Sequence, residues 1–175
     1  DTQGEGEPVL FLHGNTASSK MFLPLLPLYL RDYRVVLMDF LGNGRSDRLD
    51  SFPADLWQQE ARQAVALLEH LGYEKVTLIG TSGGAWVAIN AAMERPELVK
   101  CVVADSFNGT SLTAGFAERL AAERRAAKED KQASAFYRWC QGDDWETVVD
   151  LDTKALVACA ERELPLFFSP FSEMK

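Results

Sequence analysis

Residues 75–88 read KVTLIGTSGGAWVA, an apolar run followed by a glycine-rich turn and then by an alanine-rich stretch. The β-branched run Val76–Ile79 is typical of a strand that is buried on both faces. The alanine-rich residues after the turn favour a helix. Residues 75–88 therefore predict a strand, a tight turn and a helix in direct succession, and this unit organises the interpretation of the whole chain.

The turn Gly80-Thr81-Ser82-Gly83-Gly84 fits the pattern G-x-S-x-G. On such a strand-to-helix turn a strained backbone conformation projects the serine hydroxyl above the sheet edge. The flanking glycines let strand and helix approach without a Cβ clash, and the N–H of Gly83 lies at the positive end of the helix. We predict that Ser82 is a nucleophile; the alternative is a glycine-rich turn whose serine only caps the helix.

Three further apolar runs predict strands, namely Val9–Leu12, Tyr33–Met38 and Cys101–Ala104. Apolar residues at helical spacing predict helices between the strands, in residues 21–29, 53–71 and 85–93. Buried strands that alternate with helices predict an α/β fold with a mostly parallel sheet and helices on both faces. Asp1–Pro8 is polar and contains glycine, so we expect it to be a loose lead-in.

Four polar residues directly follow predicted strands: His13, Asp39, Ser82 and Asp105. In parallel sheets of this kind, ligands bind beyond the carboxyl ends of the strands, so we expect these side chains to share one rim. Asp39 is more simply explained as a residue that holds its own loop.

The chain after Phe107 predicts helices without further strands. Residues 116–138 predict one long helix with a charge-rich, solvated middle. Asp143 and Glu146 have the spacing of a capping box for another helix, and the apolar residues from Leu151 to Leu164 predict a further one. We therefore expect a core with the nucleophile turn in residues 1–107, a helical lid over the rim in residues 108–170, and the start of a further core segment in residues 171–175.

Composition limits the function classes. The formal net charge is −8 and there is no basic cluster, which argues against a nucleic-acid partner. No apolar run is long enough to span a bilayer, and the odd set of 3 cysteines favours free thiols in the cytoplasm. We find no metal-ligand spacing, phosphate loop or dinucleotide fingerprint, so we expect no metal and no cofactor. The expected partner is a small-molecule substrate, and assembly into a homo-oligomer is left open.

The chain resembles α/β-hydrolase fold proteins of the lidded esterase and haloperoxidase-like kind. The resemblance rests on three motifs in order, Leu12-His13-Gly14-Asn15, the loop from Asp39 to Ser46, and the turn around Ser82. It implies that Ser82 is the nucleophile and that the backbone N–H groups of Gly83 and Asn15 form an oxyanion hole. Because a minority of hydrolases of this fold place the acid after the fourth of these strands, the resemblance also makes Asp105 a candidate for the catalytic acid. Phe40 and Trp86 are candidate binding residues.

The histidines depart from the pattern of that family, in which the chain order is serine, acid, histidine. The only histidines, His13 and His70, both precede Ser82. We expect His13 to brace its turn and His70 to lie exposed near a helix end, where a cation complements the helix dipole. In the family, two strands precede the first one here and two follow the lid, and the last two deliver the acid and the histidine. The fold is therefore expected to be incomplete at both ends.

The predicted function is that of a serine hydrolase of carboxylester type, represented by its nucleophile-bearing part and inactive as the 175-residue chain alone. One alternative is a catalytically silent small-molecule binder that has lost the base. Another is a perhydrolase or haloperoxidase-like activity, which product analysis with peroxide would reveal.

Overall fold

The sheet is five-stranded and mostly parallel. The computed structural model describes residues 1–107 and 109–174; Asn108 and Lys175 lie outside the described part. The strands are β1 (Thr2–Gln3), β2 (Glu7–Leu12), β3 (Tyr33–Leu37), β4 (Val76–Thr81) and β5 (Val99–Asp105). Their spatial order is β1-β3-β2-β4-β5. Only β1 runs antiparallel to its neighbour, and the other three pairs are parallel. The predicted sheet is thus confirmed.

Within the described residues, six α-helices surround and extend this sheet: α1 (Leu26–Tyr29), α2 (Leu56–Leu71), α3 (Gly83–Glu94), α4 (Phe116–Glu129), α5 (Lys131–Gln141) and α6 (Trp145–Glu161). Two 3₁₀ segments cover Ser19–Leu25 and Phe171–Glu173. On one face of the sheet, Leu10 and Leu78 share a buried cluster with α2 and α3. On the other face, Phe11 packs with Phe22 and Leu26. The prediction of helices on both faces is therefore confirmed.

The lead-in from Asp1 to Pro8 is more ordered than predicted. Thr2 and Gln3 pair with Val36 and Val35 of β3, and β2 already begins at Glu7, which pairs with Tyr33. The prediction of a loose lead-in was wrong because backbone hydrogen bonds to a neighbouring strand do not require apolar side chains.

The predicted long helix over residues 116–138 is two helices. Asp130 separates α4 from α5 with an extended backbone (φ −77°, ψ 128°). Its carboxylate accepts hydrogen bonds from the N–H groups of Gln132 (2.9 Å) and Ala133 (2.8 Å). These bonds satisfy donors at the start of α5, which is the function of an N-cap. The single-helix prediction was wrong because Asp130 acts as a cap within the charge-rich run.

The two helices predicted after Gly142 are one. α6 runs from Trp145 to Glu161, with Asp144 as its N-cap residue and no side-chain capping bond. The capping-box prediction was wrong because the acids at this end bind arginines: Asp143 lies 3.2 Å from Arg138, and Asp144 lies 2.7 Å from Arg48.

The helices α4–α6 lie against the loops that follow β2 and β3. Gln141 at the end of α5 is buried and donates to the carbonyl of Ala17 (2.7 Å) while it accepts from the N–H of Gly44 (2.7 Å). Leu120 of α4 and Leu156 of α6 belong to the same buried cluster as the core helices. These three helices, which we call the cap helices, therefore sit at the rim where ligands bind in such sheets. The division into core and lid stays a prediction.

β5 forms one edge of the described sheet. Cys101, Val103 and Asp105 are exposed, and Val103 retains 47% of its surface. On the neighbouring strand β4, Ile79 is only half-buried. In the described residues, then, this part of the sheet is an uncovered edge, as expected from the sequence.

Candidate active site

Ser82 occupies a strained turn between β4 and α3. Its backbone has φ 54° and ψ −121°, a region that residues with a Cβ rarely adopt. The neighbouring backbone holds it there: the Ser82 N–H donates to the Asp105 carbonyl (2.9 Å), and the Ala85 N–H donates to the Ser82 carbonyl (2.9 Å). Ser82 is exposed, so the turn presents its hydroxyl to solvent at the end of the sheet.

The glycines of this turn are required by close backbone contacts. A Cβ on Gly80 would lie 1.9 Å from the carbonyl oxygen of Gly84, and a Cβ on Gly84 would lie 2.1 Å from that of Leu12. Side chains essentially never approach backbone oxygen so closely, so neither position accepts alanine without a backbone shift. The motif therefore brings β4, α3 and β2 into direct contact around Ser82.

The turn Gly14-Asn15 lies directly against Ser82. A Cβ on Gly14 would lie 3.1 Å from the Ser82 Cβ and 3.7 Å from its Oγ. A Cβ on Gly83 would meet the Asn15 Oδ1 at 2.0 Å. Among the described residues, no acceptor binds the backbone N–H of either Asn15 or Gly83. Two donors are thus available beside Ser82, while their convergence on a single oxyanion position stays a prediction.

His13 uses one ring nitrogen within its own turn and the other on the loop that follows β3. The ring is buried; Nδ1 lies 2.9 Å from the Gly14 carbonyl oxygen, and Nε2 lies 3.2 Å from the Phe40 nitrogen. A carbonyl only accepts and an N–H only donates, so Nδ1 carries the proton and the ring is neutral. Burial lowers the pKa of His13, although the Gly14 carbonyl and Asp39 oppose this shift. The expectation that His13 braces its turn is confirmed.

Asp39 holds the loop that follows β3. Its carboxylate accepts from the N–H of Ser19 (2.7 Å) and from that of Arg45 (3.0 Å). Burial raises the pKa of Asp39, but the hydrogen bonds from Arg45 and Ser19 outweigh burial and leave the pKa below its ordinary value. The structural role predicted for Asp39 is confirmed.

The other predicted residues lie in different surroundings. Asp105 reaches Ser82 through its backbone carbonyl, and its side chain is exposed. Phe40 is fully buried with its ring 4.6 Å from that of His13. Trp86 is 6% exposed and stacks on Trp57 at 4.6 Å. His70 is exposed in the last turn of α2, as expected. The acid role of Asp105 and the binding roles of Phe40 and Trp86 stay predictions.

Sequence reasoning missed a buried polar cluster between the Gly14-Asn15 turn and the cap helices. The Asn15 side chain accepts from the indole N–H of Trp57 (2.9 Å) and donates to the carboxylate of Asp152 (2.6 Å). Asp152 comes from α6 and is buried. A signal was present in the sequence, because Asp152 interrupts the apolar stripe of α6 that includes Val148, Val149 and Leu156.

Glu60 is a second acid on an apolar stripe. It lies on the buried face of α2 and is 5% exposed. Burial, and then the nearby charge of Asp152, raise its pKa well above the ordinary value. Burial also raises the pKa of Asp152, against the opposing effects of Arg124 and Asn15. The interior behind the Asn15 turn is therefore acidic and poorly solvated.

A cavity of about 500 Å³ lies between residues 110–118 and 159–166, and Ser82 is not among its lining residues. In residues 1–107 and 109–174, no cluster of three or more histidine, cysteine or acidic side chains could hold a metal ion. No helix of the described part has both the length and the apolar character that crossing a membrane requires.

A sequence model of the family described as alpha/beta hydrolase fold matches residues 7–174. The chain belongs to the α/β-hydrolase fold family. It is 35% identical over 108 residues to a proline iminopeptidase from Clostridium botulinum, an alignment that covers 59% of this chain and 36% of that protein. It is 32% identical over 102 residues to haloalkane dehalogenase 2 from Mycobacterium tuberculosis, covering 58% and 35% of the two chains.

A solved structure superposes over more of the chain. NosK from Streptomyces actuosus has a TM-score of 0.72 and 26% identity, covering 93% of this chain and 69% of that one. The curated relatives, in contrast, are matched over only about a third of their length (36% and 35%).

Proposed function

We propose that this α/β-hydrolase protein is a serine hydrolase that acts on an ester or a related acyl substrate, with Ser82 as its nucleophile. The proposal is carried by one observation, the strained backbone of Ser82 (φ 54°), which exposes the hydroxyl next to the N–H groups of Gly83 and Asn15, for which the described residues supply no acceptor. The named relatives are hydrolases, which supports hydrolysis in general but not a carboxylester substrate in particular.

The proposed reaction has two stages. Ser82 Oγ attacks the acyl carbon, the leaving group departs, and water then releases the acyl group from the serine. The N–H groups of Gly83 and Asn15 stabilise the negative charge that develops on the acyl oxygen. Donors of this kind are valuable because removal of a single one typically lowers kcat by about 10²–10³-fold.

A serine hydroxyl also needs a base within hydrogen-bond reach. Both nitrogens of His13 are engaged, and His70 is exposed in the last turn of α2. We infer that the base is not a histidine of these 175 residues. The chain alone should therefore retain only the modest acceleration that an oxyanion hole and binding can supply.

The engaged state of His13 also favours a second candidate, a small-molecule binder without turnover. Such a protein would keep the turn and the cap helices but perform no acyl transfer at Ser82. In either case we propose a small-molecule partner and a cytoplasmic location, the latter on the three cysteines, which are free thiols.

Labelling of Ser82 separates the two candidates. The chain is incubated with a fluorophosphonate probe and increasing 2-methylimidazole as a diffusible base, then digested and mapped by mass spectrometry. We expect labelling at Ser82 that rises with the base, disappears in Ser82→Ala and persists in the control Ser106→Ala. Labelling at Ser106 or Ser18 would contradict the assignment, and a complete absence of labelling at every base concentration would favour the binder.

A further inference from the structure

The Asn15 side chain is clamped between two helices. An indole N–H can only donate, so the Trp57 bond (2.9 Å) requires the Asn15 oxygen to face α2. The Asn15 Nδ2 group then faces α6, where it donates to Asp152 Oδ2 at 2.6 Å. Asp152 has a side chain that is 2% exposed. The residue predicted to provide an oxyanion donor therefore has its side chain fixed by a buried carboxylate of a cap helix.

The next residue in the turn is strained and is held from the same side. Thr16 has φ 60°, a region that threonine rarely adopts. Its hydroxyl donates to the Asn15 carbonyl (2.5 Å) and accepts from Arg124 of α4 (3.1 Å). Arg124 also donates to the Tyr137 hydroxyl of α5 at 3.0 Å. α6 and α4 thus bind the turn directly, through Asp152 and Arg124, and α5 supports it through the bond between Arg124 and Tyr137.

Asp152 could instead serve only as the partner of Arg124 in a buried ion pair. The distances argue against this as its main contact, because the Arg124 nitrogen lies 3.7 Å from Asp152 Oδ1, beyond a hydrogen bond. Asp152 Oδ1 has no hydrogen-bond partner in the described residues, while Oδ2 is committed to Asn15. The shortest polar contact of Asp152 is therefore the one to Asn15.

We propose that Asp152 is a positioning residue that orients the Asn15 N–H toward the oxyanion, so that the oxyanion hole is complete only while α6 is docked on the Gly14-Asn15 turn. The proposal rests on the proposed function of Ser82. It extends the site to a cap helix that lies far from the turn in the sequence.

The kinetic test uses fluorophosphonate labelling with a fixed concentration of 2-methylimidazole, analysed as a binding constant and a limiting rate, kinact. Asp152→Ala should lower kinact about 10–100-fold with little change in probe binding, because a misdirected donor affects the transition state. Asp152→Asn keeps an oxygen that can accept from Asn15 and should recover most of the rate. The control Asp150→Ala removes an exposed acid from the same helix and should leave kinact unchanged.

Two further measurements keep the test decisive. If Asp152→Ala does not fold, Asp152→Leu supplies apolar volume at the same place and should show the same loss of kinact. The residual dipolar coupling of the Asn15 backbone N–H, measured by NMR, reports the orientation of that bond even if Ser82 proves inert; it should change in Asp152→Ala but not in Asp150→Ala. A folded Asp152→Ala or Asp152→Leu variant with unaltered kinact, or an unaltered Asn15 N–H in Asp152→Ala, would overturn the proposal, whereas an unlabelled wild-type chain would overturn only the proposed function.

Discussion

The Ser82 N–H donates a 2.9 Å hydrogen bond to the carbonyl of Asp105. This bond ties the nucleophile turn to the end of β5, and together with the Ala85 bond it holds a backbone conformation that serine does not favour. The same bond places Asp105 beside Ser82 through its main chain rather than through its carboxylate. Strain at Ser82 is therefore maintained by neighbouring backbone, and this can be measured directly.

Ser82→Gly should be more stable than Ser82→Ala. Glycine adopts φ 54° without the steric strain, typically about 1–3 kcal/mol, that any Cβ incurs there, although it loses roughly 0.5–1 kcal/mol through backbone entropy. We expect a net difference of about 1 kcal/mol in the free energy of unfolding, measured by urea denaturation. Because both variants lack the hydroxyl, equal stabilities would show that the turn is unstrained.

Gly80→Ala should destabilise the protein by about 3 kcal/mol or more, since the added methyl would lie 1.9 Å from backbone oxygen. Gly72→Ala is the control for added bulk, because nothing lies within 4 Å of the Cβ position of Gly72, although its own φ is positive (65°). The control should be destabilised only by the left-handed conformation, about 1–2 kcal/mol. Thermal unfolding of the two variants tests this order. If Gly80→Ala lost less stability than Gly72→Ala, the close approach of the Gly84 carbonyl to Gly80 would be contradicted.

Glu60→Gln should stabilise the protein at neutral pH by about 1 kcal/mol or more. Burial, and then Asp152, raise the pKa of Glu60 in the folded state above its ordinary value of 4.5. Between those two pKa values the folded state binds more protons than the unfolded state, so stability falls as the pH rises through this window. Glu60→Gln should remove this fall of stability with rising pH. Parallel pH dependences for wild type and variant would show that Glu60 is not the group responsible.

Asp39→Asn should have the opposite pH signature. The pKa of Asp39 is lowered in the folded state, because the N–H bonds from Arg45 and Ser19 outweigh burial. The ionised Asp39 therefore stabilises the folded state fully at pH values above its ordinary pKa of 3.8. This stabilisation is lost as the pH falls through the lower pKa that Asp39 has in the folded state. We expect the variant to lose roughly 1.5–3 kcal/mol at pH 7, the scale of hydrogen bonds to a charged group. Asp47→Asn, an exposed acid of the same loop, should change little in the same denaturation series.

Local patterns predicted the parts of the fold that depend on neighbouring residues. The strand expected at Val76–Ile79 is β4, extended to Thr81, and the helix expected to end at residue 71 does so, with Gly72 as the left-handed C-cap of α2 (φ 65°). Asp130 was missed because in a charge-rich run a helix-capping acid looks like one more surface charge. β1 was missed because its pairing with β3 depends on backbone groups that every sequence carries.

The candidate site divides in the same way, into motifs that neighbouring residues determine and a contact that they do not. The motif around Ser82 and the turn at Asn15 were predictable because each is a short run with a fixed backbone requirement. The bond from Asn15 to Asp152 joins residues 137 positions apart, and no local pattern specifies such a contact. Its only trace in the sequence is an acid on the apolar stripe of α6, which marks a buried partner without identifying it.

The exposed edge at β5 has a consequence for handling the protein. A strand with free backbone groups on one side can pair with another copy, and Val103, which is 47% exposed, adds apolar surface. The net charge of −8 opposes such encounters by mutual repulsion. Salt weakens that repulsion, since the screening length falls from about 10 Å at 0.1 M to about 3 Å at 1 M. Light scattering should therefore show monodisperse particles in dilute buffer and growing ones as the ionic strength is raised.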